Sequence, residues 1–160
     1  MKRNLSLAAV ACGGFLASAI VHACTFADVS LPEKFPAFWL LHVGIFIVFT
    51  PAVLTLVGAQ RDGQGRMLAA FPLPAILIAL ALHVYAATVG VASMTALEGS
   101  AQETPAGYAL MNHGQFIREL TYAEYLHAQA LEARGFSCVW LMFYGVSALF
   151  YTTGRQIPAA

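Results

Sequence analysis

The stretch Pro36 to Gly58, PAFWLLHVGIFIVFTPAVLTLVG, constrains this chain most, because it is apolar throughout and carries one ionisable side chain, His42. An α-helix rises about 1.5 Å per residue and needs about 20 such residues to cross the roughly 30 Å hydrocarbon core of a bilayer. Read as a spanning helix, this run organises the chain and turns the other hydrophobic runs into its partners. Composition agrees. Hydrophobic residues make up 59% of the chain and charged residues 10%, whereas soluble domains carry about 25% charged residues to cover their surface. The net charge is zero, which leaves no basic footprint for nucleic acid.

Three further runs reach spanning length. Residues 5–24 follow two cations, Lys2 and Arg3, and read as a retained first span; the alternative is a secretory signal cut after Val21-His22-Ala23. Residues 36–58 form the second span, where Pro51 removes a backbone donor and should kink the helix near Ile47. A polar turn, Gln60 to Arg66, leads to a third span at 67–94, and the fourth is 136–153. Gly13, Gly14, Ser18, Ala79, Ala86, Gly90 and Gly145 are read as points of close helix packing. Trp39, Trp140, Tyr108 and Tyr151 are read as an aromatic belt at the span ends.

The long polar insert, residues 95–135, begins with LEGSAQETPAG, which is irregular by composition. From about Ala109 to Ala133 the pattern predicts an amphipathic helix lying outside the membrane, with Gly135 as its stop signal. The expected fold is therefore all-α: a four-helix transmembrane bundle, one integral membrane domain over 1–160, with an extramembrane helix between spans 3 and 4. The lysine and arginine bias orients it. With the amino terminus cytoplasmic, Lys2, Arg3, Arg61, Arg66 and Arg155 fall inside and Lys34, Arg118 and Arg134 outside, which suits a bacterial inner membrane with both termini cytoplasmic.

Candidate chemistry rests on a few residues. His22, His42 and His83 lie in spans, where an ionisable group usually faces a partner inside the bundle. One reading is structural, with neutral imidazoles bonded to a carbonyl or to a hydroxyl such as that of Tyr85 or Tyr144. Another is haem b ligated by His42 with His83 or His22, although His42 and His83 differ in depth by roughly 7 Å. Glu124 and His127 have the Glu-x-x-His spacing of bundle metal sites and share a stripe with His113, Ile117, Leu120 and Leu131. Cys24 and Cys138 fall at the same outer face, where a disulfide is permitted. No nucleophile motif, zinc motif or phosphate-binding glycine loop occurs, so no catalytic residue is assigned.

At FWLLHVGIFIVFTPAVL and again at FSCVWLMFYGVSALFYTTGR the chain resembles small four-span bacterial membrane proteins with no assigned activity. The resemblance implies the four-helix fold and no function. The leading expectation is a non-enzymatic bundle that associates with itself or with a larger membrane complex. A haem-binding redox protein and a small transporter or proton pathway are the alternatives.

Overall fold

In the computed structural model, residues 5–29, 31–61 and 71–154 are described. Four helices are long and apolar enough to cross a membrane. They are α1 (Leu5–Cys24), α2 (Leu40–Arg61), α3 (Leu73–Thr95) and α4 (Tyr122–Thr153), with a three-stranded sheet between α3 and α4. A single π-helical turn, Ala86–Gly90, interrupts α3. The link 62–66 and the cations Lys2, Arg3, Arg66 and Arg155 lie outside the described residues.

The hub is α4, not α2. It packs against each of the other three helices, and 56% of its most apolar window is buried, against 17%, 17% and 11% for α1, α2 and α3. Its neighbours alternate in direction. On α1, His22 meets Ser137 while Phe15 lies at Gly145, so α1 is antiparallel to α4. On α3, Met94 lies at Gly135 and Leu82 at Gly145, again antiparallel. On α2, His42 meets Trp140 and Val48 meets Tyr151, so α2 runs parallel to α4. The result is an up-down-up-down bundle.

Polar atoms fix the α2–α4 register. Tyr144 and Tyr151, two helical turns apart, donate to the Leu41 carbonyl at 2.9 Å and the Val48 carbonyl at 2.7 Å. Their buried positions, and that of Trp140 at 0% exposure, correct the belt reading for Trp140 and Tyr151: both point into the bundle, where their polar atoms have partners. The helix α2 continues through Pro51.

The predicted separate amphipathic helix over about Ala109 to Ala133 does not form: its second half is helical, as the first turns of α4, and its first half is strand. Residues 100–120 form an antiparallel sheet, β1 (Ser100–Thr104), β2 (Gly107–Asn112) and β3 (Gln115–Leu120), in the order β1-β2-β3. The cause is local. His113 and Gly114 both take positive φ, 49° and 81°, which closes a two-residue hairpin between Asn112 and Gln115. Leu110 and Leu120 of the sheet then pack on Tyr125 of α4, against which Tyr108 stacks with ring centroids 4.4 Å apart. Gly135 is likewise no stop. It lies inside α4 where the Met94 side chain crosses, and a side chain there would collide with it.

Helix α4 starts at a capping box. Thr121 Oγ1 accepts from the Glu124 amide and Glu124 Oε2 accepts from the Thr121 amide at 2.8 Å. At about 48 Å this helix is longer than the hydrocarbon thickness of a bilayer. The Thr121 backbone N–H first, then Arg118 at 2.7 Å, hold the Glu124 carboxyl down to about 2. The folded value lies below the ordinary 4.5, so the cap contributes fully above that value and is lost as pH falls toward about 2. Amide exchange at Tyr122 to Tyr125 should accelerate across that window, and a Glu124→Gln protein should show no such dependence.

Candidate functional site

A network of buried polar groups lies where α1, α3 and α4 meet. His22 ends α1 at 7% exposure. Its Nδ1 lies 2.8 Å from Ser137 Oγ on α4 and its Nε2 lies 2.7 Å from Tyr85 Oη on α3. Ser137 Oγ also donates to the Arg134 carbonyl at 3.0 Å. Since that bond uses the hydroxyl proton, Ser137 accepts from Nδ1–H, and Nε2 accepts from the Tyr85 hydroxyl. This assigns the neutral Nδ1–H tautomer from the bonding pattern. Phe26 and Tyr85 set their rings edge-on to the imidazole at 5.2 and 5.6 Å.

The network extends outward. Thr25 Oγ1 donates to the His22 carbonyl at 2.6 Å and accepts from Arg134 Nε at 3.2 Å, while Arg134 Nη2 donates to the Thr25 carbonyl at 2.6 Å. Chemically the assembly is a closed relay. Each His22 nitrogen is committed, so no free base faces a nucleophile. Cys138 Sγ, 4.0 Å from His22 Nδ1, sits beside a nitrogen whose proton already points to Ser137. The π-helical turn follows Tyr85 directly, and such turns are frequent at functional positions. It sets Gly90 against Cys138.

The other sequence-derived residues are dispersed. His42 is exposed and accepts the Trp140 Nε1–H at 3.2 Å. His83 is exposed and donates from Nδ1 to the Ala79 carbonyl of its own helix at 2.7 Å. No hydrogen bond or ring contact joins His42 to His83 or to His22 among the described residues. Glu124 turns to Thr121 and Arg118, whereas His127 turns to Asp28 at 3.1 Å, so the Glu-x-x-His pair serves two different partners. Three metal-ligating side chains do not converge anywhere among the described residues. Cys24 is a half-buried free thiol and Cys138 a buried one. His113 sits at the hairpin turn and not on a helical stripe, and it lines a cleft with Glu132 and Phe136 of α4.

Ser137, Thr25 and Arg134 had no prior signal of their own. Arg134 stood at the edge of an apolar run, and Ser137 was one small residue among many. Comparison with known protein families, with curated proteins and with solved structures finds no match.

Proposed function

We propose that this chain is a multi-pass protein of a bacterial inner membrane, termini cytoplasmic, that carries out no chemistry of its own and works by associating with a second copy or with a larger membrane complex. The supporting observation is the outward position of His42 and His83. His42 Nδ1 accepts a hydrogen bond from Trp140 Nε1–H, so the imidazole's own proton is on Nε2. His83 Nδ1 donates, so its Nε2 is a bare acceptor. One orphan donor and one orphan acceptor thus stand on faces that the membrane reading puts in hydrocarbon. A polar group left unpaired there costs several kcal/mol, on the order of 2–7. A helix from another subunit, bringing a carbonyl or hydroxyl to each, removes that cost.

Of the haem alternative's candidates, His83 keeps a bare Nε2 with its Nδ1–H held by a carbonyl, as a ligand would, whereas both His22 nitrogens are already bonded and no contact among the described residues brings His42 to His83. The transporter alternative draws little, because the buried groups around His22 are all bonded to one another and the other buried hydroxyls, Ser18, Ser93 and Ser147, make no bond from one helix to another. Association is tested by measuring the mass of the full-length protein in nanodiscs prepared directly from native membranes. The expected result is an assembly larger than one chain, and His42→Leu with His83→Leu should reduce it to single chains. A wild-type protein that is a single chain in such discs would overturn the proposal.

A further inference from the structure

Among the described residues no carboxylate lies within ion-pair distance of Arg134. Glu124 is paired with Arg118 and Asp28 is hydrogen-bonded to His127. The Arg134 guanidinium is nevertheless fixed. Two of its five N–H donors are used on Thr25, and the Phe26 ring covers one face with Arg134 Cζ 4.1 Å from the ring centroid. Thr25 is fully buried and spends its own proton on the His22 carbonyl, so its oxygen is an acceptor held toward Arg134. All of these partners are uncharged. The remaining N–H groups form a planar fork of the kind that matches two oxygens of a phosphate.

Depth decides which phosphate. From Arg134 to Thr153 helix α4 rises about 28 Å, close to the hydrocarbon thickness of a bilayer. With Thr153 at one boundary, Arg134 is at the other, where lipid phosphates lie. On the exposed face of α1, Leu16 and Ile20 are 63% and 66% exposed and offer an apolar wall for a chain descending from that level. We infer that Arg134 binds the phosphate of an anionic phospholipid, whose acyl chain lies along the exposed face of α1. A zwitterionic lipid brings its own cation and leaves the Arg134 charge uncompensated overall, so the site discriminates by net headgroup charge.

This inference rests on the membrane reading, which would fail separately, by the protein proving soluble without detergent. The test titrates the full-length protein in dodecyl maltoside with phosphatidylglycerol, phosphatidylcholine and inorganic phosphate, following the thermal midpoint. Phosphatidylglycerol should give a saturating rise, at concentrations about tenfold below those at which phosphatidylcholine acts, and inorganic phosphate should give none. Arg134→Gln should weaken the phosphatidylglycerol response about tenfold to a hundredfold. Arg118→Gln should leave it intact. Lipid retention by the wild-type protein in native mass spectrometry gives a readout independent of the variants, with phosphatidylglycerol retained over phosphatidylcholine. Equal retention or equal midpoint shifts for the two lipids would overturn the inference. So would a full response in Arg134→Gln, and a response to inorganic phosphate matching that to phosphatidylglycerol would transfer the site from lipid to a soluble anion.

Discussion

Alanine at Gly14 should destabilise the protein by about 3 kcal/mol, the upper end of ordinary overpacking, while alanine at the adjacent Gly13 should be neutral or stabilise it by up to about 1 kcal/mol. A side chain at Gly14 would fall on the ring of Tyr144. That ring is held in place. It is 3% exposed, its hydroxyl is bonded to the Leu41 carbonyl, and its far end abuts Gly44 of α2. At Gly13 nothing lies within 4 Å of an added methyl, so only the helix preference for alanine over glycine remains. Equilibrium unfolding in mixed micelles reads both. Opposite signs at neighbouring residues support the α1–α4 contact as described. Two silent substitutions would favour removal of residues 1–23 as a leader, because a cleaved leader contributes nothing to the stability of the mature protein.

The second large effect is expected at Trp140. It is fully buried and sets its ring edge-on to Phe38, Trp39 and His42 at centroid distances of 5.8, 5.7 and 6.3 Å. Trp140→Ala should cost about 3–5 kcal/mol, the range for removing a large aromatic from a packed interior. Trp140→Phe separates packing from polarity. It keeps most of the ring contacts but leaves His42 Nδ1 without its donor, and should cost about 1–2 kcal/mol. A loss below about 1 kcal/mol for the alanine variant would show that the bundle is not centred on this part of α4.

The apolar runs made the membrane-crossing lengths legible, because twenty apolar residues in a row admit few other readings. The centre of the bundle was less so. Pro36 to Gly58 drew attention as the most hydrophobic run, yet in lipid there is no premium on burying the most apolar helix. The helix that belongs inside is the one whose polar groups need protein partners. Accordingly the most apolar 18-residue stretch of α4 has a mean hydropathy of 1.3, against 1.9, 2.3 and 2.1 for the corresponding stretches of the other three, and its Ser137, Tyr144 and Tyr151 all bond across to other helices or within its own turn.

The outer segment failed for a different reason. Leu110, Ile117, Leu120 and Leu131 fit a helical stripe by their spacing, but spacings of three and four cannot see a chain reversal between them. Two local signals did mark the break. Asn112-His113-Gly114-Gln115 has a glycine where a tight hairpin requires positive φ, and Thr121-x-x-Glu124 is a helix start placed in the middle of the supposed helix. The inner polar site was half legible. His22 with Tyr85 was among the structural pairings open to a neutral histidine. Ser137 and Arg134 were not visible, since their roles depend on which face of α4 meets α1, and that follows from glycine contacts that no linear pattern displays.

The claim beneath all of this is that the four helices lie in lipid. The most direct measurement is extraction of the untagged full-length protein from isolated cell membranes, first with alkaline carbonate and then with detergent. The account predicts that the protein stays in the membrane pellet through carbonate and is released by detergent alone. Release by carbonate, followed by a monodisperse species in plain buffer, would contradict it.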